Sequence, residues 1–195
     1  MGRTARFSSD AILDAAADVV ADGGPARTSI GSIAARLGAP SGSIYYRFAS
    51  RDLLLASLWI RTARRAQQGA LEAIAHPDVE RAAVGTALHV VRWSRSHLTE
   101  ARILMLHRRE QLATQWPDEL GEELAMLNMP LEAALGGFRR RLAAAGASAN
   151  ATDVAFALVD VPYAAVRRSL IAGTAPPRRV DELVRLTCRT VLFGT

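Results

Sequence analysis

A chain of 195 residues, half of them hydrophobic and 22% charged, has material for a true apolar core, as one helical unit or as an ordinary domain with a small one appended. The formal net charge of +5 permits a polyanionic partner. No apolar run approaches the ~18 residues a membrane span requires, no h-region follows the basic start, and the single cysteine, Cys188, forms no intrachain disulfide; nothing argues for a membrane, a secretory route or an oxidising compartment, and a cytoplasmic location is expected.

Helical periodicity runs through the chain, and no alternating β-branched run suggests a sheet. Ser9 or Asp10 is expected to cap a first helix whose inward face is Ile12, Ala15, Ala16, Val19 and Val20, with Gly23, Gly24 and Pro25 ending it. A short helix is expected over about Ile30–Leu37, with Ser29 as N-cap and Gly38 as stop. After Ala39 and Pro40 a second short helix covers about Ser41–Arg47. Ser50 then caps a longer helix through Leu53, Leu54 and Leu58 to about Ile74, before Pro77. Helices over about Val79–Ser96 and Thr99–Ala113 follow. A stripe of Leu120, Leu124, Leu127, Leu131, Leu135, Phe138 and Leu142 is interrupted by Pro130, which predicts a break with Asn128 recapping. Two last helices, about Thr152–Ala172 and Arg179–Leu192, flank Gly173 to Pro177.

The two short helices around Gly38, Ala39 and Pro40 have the dimensions of a helix-turn-helix, placed at about residues 29–48, whose second member enters the major groove. Ile33, Ala34 and Leu37 supply the inner face of the first, and Ile44 and Phe48 anchor the second. Ser41, Gly42, Ser43, Tyr45, Tyr46 and Arg47 are left to face outward, with hydroxyls, a bare backbone and a guanidinium able to bond phosphates and base edges. All 24 basic residues are arginine, so a lone arginine carries little weight outside such a motif. Arg3 and Arg6 form a short basic arm able to enter a minor groove, although terminal arginines are as often disordered.

Over about Ser9–Arg61 the sequence resembles the tetracycline-repressor-like (TetR) regulators. The resemblance rests on Ala11-Ile12-Leu13-Asp14-Ala15-Ala16, on the run from Thr28 to Gly38, on Ser41-Gly42-Ser43-Ile44-Tyr45-Tyr46-Arg47-Phe48 and on Ser50-Arg51-Asp52-Leu53-Leu54. It implies an all-α fold: a three-helix DNA-binding domain over residues 1–55, then a helical-bundle effector-binding and dimerisation domain over 56–195. It also implies phosphate contacts from Tyr45, Tyr46 and Arg51, and a candidate DNA-facing set completed by Thr28, Ser29 and Gly31. The family often has lysine at Arg51 and histidine or tyrosine at Arg47, and Ser41 and Ser43 are small, so base readout rests on Arg47, water bridges and DNA shape.

The second half is expected to hold a pocket for an apolar or aromatic effector and a homodimer interface. Pocket candidates are Trp59, His89, Trp93, Met105, His107, Met126, Met129, Phe138, Phe156 and Tyr163, each weighed against plain core packing. Dimer candidates are Val154, Leu158, Val161 and Ala165 with Val180, Leu183, Val184, Thr187 and Val191. No cofactor or metal is expected: His107 and Glu110 form one histidine–carboxylate pair where a di-metal bundle needs two, and no phosphate loop or nucleophile elbow occurs. The expectation is therefore a one-component repressor released from operator DNA by a small molecule. The alternatives are a ligand-independent regulator under a protein partner and a helical-bundle enzyme or metal carrier.

Overall fold

Polar caps and glycine stops cut this chain into short helices and long ones. The computed structural model describes residues 7–194, and all regular structure among them is helical. Helix α1 (Ser9–Gly23) is capped one residue before the first cap expected, Ser9: Ser8 Oγ accepts the Ala11 amide at 3.1 Å. Gly24 ends it at a φ of 74°, a conformation that favours glycine. After the 3₁₀ turn Pro25–Arg27 comes α2 (Ile30–Leu37), opened by a reciprocal cap. Ser29 Oγ accepts the Ser32 amide at 3.0 Å, and Ser32 Oγ accepts the Ser29 amide at 2.9 Å. Gly38, at φ 64° and ψ 35°, closes α2 in the left-handed region. Helix α3 (Ser41–Tyr45) is two residues shorter than expected, because Tyr46 and Arg47 form the turn into α4 (Arg51–Ile74). Ser50 does cap α4, its Oγ accepting the Leu53 amide at 3.1 Å.

Helix α5 (Val79–Ser96) has the expected limits, with Asp78 as its cap. The single helix expected next is instead α6 (Leu98–Ile103) and α7 (Arg109–Gln115). At the break the Leu104 carbonyl accepts the Trp59 indole N–H at 3.1 Å, a tertiary contact that helical periodicity does not register. Pro130 breaks the apolar stripe as expected, into α8 (Pro117–Leu127) and α9 (Met129–Ala144). Asn128 sits at the break but does not cap with its side chain, whose Oδ1 accepts Gln67 Nε2 at 2.9 Å. Asn150 and Asp153 cap α10 (Ala151–Ala155) reciprocally. Pro162 lacks the amide that would continue the ladder, and the turn before it, Phe156–Asp160, widens into π form ahead of α11 (Val161–Ile171). Helix α12 (Arg179–Phe193) is last, and among the described residues no helix is long and apolar enough to cross a membrane.

The described chain divides into two units. The first holds residues up to Thr62 together with Ile103–Leu124, a wider unit than the single division after residue 55 expected from sequence. Its core joins Ile12, Ala16, Ile33, Ile44, Leu54, Leu58 and Ile103. The second unit, Ala63–Arg102 and Ala125 onward, packs α5 against α11 and α12, and α11 against α12. Val154, Leu158 and Val184, expected at a dimer interface, are at most 2% exposed within this unit. They lie on the helix faces turned to neighbours in their own chain. Ile171 and Leu186, absent from that expectation, are 62% and 61% exposed.

Candidate nucleic-acid interface

The recognition segment stands on a fully apolar floor. Ile33 and Ile44 are wholly buried, with Ala34 and Phe48 at 4% and 7% exposure. The small Ala34 side chain lets α2 and α3 approach closely. With Ile44 pointing down, the pitch of so short a helix turns Ser41, Gly42 and Tyr45 outward, and Tyr46 and Arg47 extend the exposed row. Tyr45 and Tyr46 are 55% and 84% exposed. Large aromatic rings so far in solvent offset nothing in the unit's own core, which makes them the least explained apolar surface in it. Ser43 is half-buried, while Ser29 and Gly31 lie exposed at the start of α2.

Three arginines clamp the frame that carries this row. Arg36 reaches from α2 back to α1, bonding the Asp22 carboxylate and lying 3.7 Å from Asp18. The Asp22 bond, with both negative charges, holds the Arg36 guanidinium above its usual pKa despite slight desolvation. Arg61 reaches from α4 to α1, 2.8 Å from Asp14 and donating to the Asp10 carbonyl at 3.1 Å. Arg51 donates through Nε to the Thr28 carbonyl at 2.6 Å, to the Pro25 carbonyl, and to Asp52 at 2.6 Å. Its guanidinium therefore ties the start of α4 to the 3₁₀ turn and keeps only part of its five donors for anything else.

Two expected DNA-facing residues take other places. Thr28 is 2% exposed, and its hydroxyl donates inward to the Gly24 carbonyl at 3.0 Å. Arg47 is exposed as expected but also donates to Ser9 Oγ at 3.2 Å, so its head lies towards the start of α1. Arg3 and Arg6 lie outside the described residues. The clamps at Arg36 and Arg61 escaped sequence reading. The signal was present in Asp10, Asp14, Asp18 and Asp22, a carboxylate every four residues along one face of α1.

The expected pocket residues are divided between the two units. Trp59, Met105 and His107 belong to the first unit, the other seven to the second. Trp59 is 9% exposed and spends its N–H on Leu104. His107 is half-buried, and burial pushes its pKa below the usual value of 6.5 although the Asp52 charge opposes this. In the second unit His89 Nε2 donates to the Ala66 carbonyl at 2.8 Å, Trp93 stacks on His97 with ring centroids 5.3 Å apart, and Phe138 is 1% exposed. Met126, Met129, Phe156 and Tyr163 are each between 47% and 57% exposed. Among the described residues no three His, Cys, Asp or Glu side chains come together to hold a metal ion.

Residues 12–58 match the family of bacterial regulatory proteins called tetR, a span that begins inside α1 and ends in α4. No curated protein matches the sequence significantly. Solved structures match the fold over nearly the whole chain. A TetR family transcription regulator from Marinobacter aquaeolei aligns at a TM-score of 0.67 and 17% identity, over 94% of each chain. SmeT, the repressor of the Stenotrophomonas maltophilia efflux pump SmeDEF, aligns at 0.67 and 16%, over 97% of this chain and 92% of its own. FadR of Bacillus subtilis, solved with stearoyl-CoA, aligns at 0.69 and 14%, over 96% of this chain and all of its own.

Proposed function

From a chain that carries the N-terminal domain of the tetR family of bacterial regulatory proteins, on the fold of that family's solved members, we propose a one-component transcriptional repressor that a small molecule releases from operator DNA. The observation that carries the DNA-binding half is the exposed row Ser41, Gly42, Tyr45, Tyr46 and Arg47 above the buried Ile44 and Phe48. Tyr45 and Tyr46 bond phosphate oxygens through their hydroxyls, and Arg47 supplies the one long cationic group of the segment. Ser41, Gly42 and Ser43 let the backbone come close to the groove, so recognition leans on water and DNA shape as well as on direct bonds. Arg51 acts chiefly as a brace for the turn beneath that row, with its remaining N–H groups available to a phosphate.

The protein works as a homodimer, because reading two half-sites about 34 Å apart requires a two-fold pair of recognition helices. The exposed apolar groups Ile171, Leu183 and Leu186 on α11 and α12 support a partner copy against those helices. Release follows from a two-state equilibrium: a ligand that prefers the conformation with wrongly spaced recognition helices weakens operator binding by its differential affinity and no more. The stearoyl-CoA held by FadR supports an effector with a substantial apolar part. The test is selection of duplexes from a random pool by the purified protein, repeated with a panel of apolar and aromatic candidate effectors. Enrichment of a two-fold symmetric site, lost with one effector class, is expected. Enrichment of no sequence refutes the DNA-binding reading, and a site retained against every effector favours control by a protein partner.

A further inference from the structure

A cleft in the second unit, formed between α5 and α12, has a composition that the repressor reading leaves unused. Its volume is about 410 Å³, within the range of small-molecule sites. Four arginines wall it, Arg81 and Arg92 from α5 and Arg185 and Arg189 from α12. Val84 and Leu88, one helical turn apart, give it an apolar floor. The lining carboxylates, Asp78 and Glu80, are already engaged. Asp78 Oδ1 accepts the Arg81 backbone amide at 2.7 Å as the cap of α5, and Glu80 pairs with Arg189 at 2.7 Å. Asp181 stands 3.9 Å from Arg92, but its oxygens accept from Arg95. The Arg81 and Arg185 guanidiniums have no ion pair among the described residues, and they face the cleft from different helices.

Like charges gathered around a concave, partly apolar surface cost free energy through self-repulsion, and a bound anion removes that cost. We propose that this cleft binds a small phosphate monoester whose apolar or planar body lies on Val84 and Leu88. Two positive charges in excess among the lining residues match the dianionic phosphate, and its three terminal oxygens can accept from two guanidiniums at once, which a carboxylate does less well. The site uses neither the DNA-facing row nor the apolar groups assigned to the dimer, so it stands or falls independently of the repressor reading.

Calorimetric titration of the full-length protein with adenosine 5′-monophosphate, inorganic phosphate and adenosine tests it. The monophosphate is expected to bind once per chain, more tightly than either fragment. Arg81→Ala with Arg185→Ala should weaken it about tenfold or more, whereas removing the same charge at α9 with Arg139→Ala and Arg140→Ala should leave it unchanged. Val84→Trp keeps every guanidinium and fills the cleft; it should abolish binding, and it serves should the double arginine variant not fold. Equal loss in the α9 control, equal binding of adenosine, no binding of the monophosphate, or its displacement by duplex DNA overturns the proposal.

Discussion

Gly69 and Gly85, two of the helical glycines in the second unit, sit where glycine costs about 1 kcal/mol against alanine, yet replacing them should have opposite effects. A Cβ built on Gly69 of α4 falls 2.3 Å from His89 Cε1 and 2.7 Å from Nδ1, well inside van der Waals contact. A Cβ on Gly85 of α5 meets only the Ala73 methyl, at an ordinary 3.5 Å. For Gly69→Ala the imidazole has to swing away, which breaks its 2.8 Å bond to the Ala66 carbonyl and disturbs the packing of α4 on α5. Overpacking costs about 1–3 kcal/mol and the lost bond about 1 kcal/mol. Set against the ~1 kcal/mol gained in helix propensity, a net loss of about 1–3 kcal/mol is expected. Gly85→Ala should gain up to ~1 kcal/mol. Urea unfolding followed by circular dichroism measures both, and the decisive arm is the cycle with His89→Ala. In that background Gly69→Ala should turn from destabilising to neutral or stabilising, a coupling of about 1–3 kcal/mol. A Gly69→Ala variant as stable as Gly85→Ala, or a coupling near zero, would show that the His89 ring does not limit the space at Gly69.

Other consequences are simpler to check. Because burial lowers the His107 pKa in the folded state, the unfolded chain takes up the proton more readily there. The His107 contribution to stability is therefore present above pH 6.5 and lost as pH falls below it; urea midpoints between pH 7.5 and 5 should drop less in His107→Asn than in the unsubstituted protein. The Cys188 thiol is wholly buried and pushed up to about 12 by desolvation, so Ellman's reagent at pH 8 should react with it only as fast as the protein unfolds. Rapid labelling of the native chain would contradict its placement in the core. Arg51→Lys keeps the charge but cannot span the Thr28 and Pro25 carbonyls together, so a loss of about 1–3 kcal/mol in the melting of the first unit is expected. No change would show that the brace carries no load.

The parts of this molecule that local chemistry controls were readable before any coordinates. Ser29, Gly38 and Ser50 bound their helices because caps and left-handed glycine stops act within four residues, and Pro130 breaks its helix for the same local reason. Contacts distant in sequence were not readable. The α6–α7 break coincides with a bond from the Trp59 indole 45 residues away, and no glycine or proline announces it. The face of a helix that meets its own chain rather than a partner is likewise a tertiary fact. Val184 and Leu186 read as equally apolar neighbours, yet one is buried and the other exposed. At the row proposed to face DNA the outward residues followed from the pitch around Ile44, while Thr28 turned inward because the 3₁₀ turn offered its hydroxyl the Gly24 carbonyl.

In the proposed mode of binding, the segment from Ser29 to Phe48 holds duplex DNA through the residues exposed above Ile44. Fluorescence anisotropy of a selected duplex, titrated with the unsubstituted protein and with Tyr46→Ala plus Arg47→Ala across a range of salt, tests it most directly. Both side chains are exposed, so circular dichroism should report an intact fold for the variant. At least about a tenfold loss of affinity is expected, with a log–log salt slope shallower by about two units, one for the phosphate contact of Arg47 in each protomer. An unchanged affinity with an unchanged slope would contradict this mode of binding.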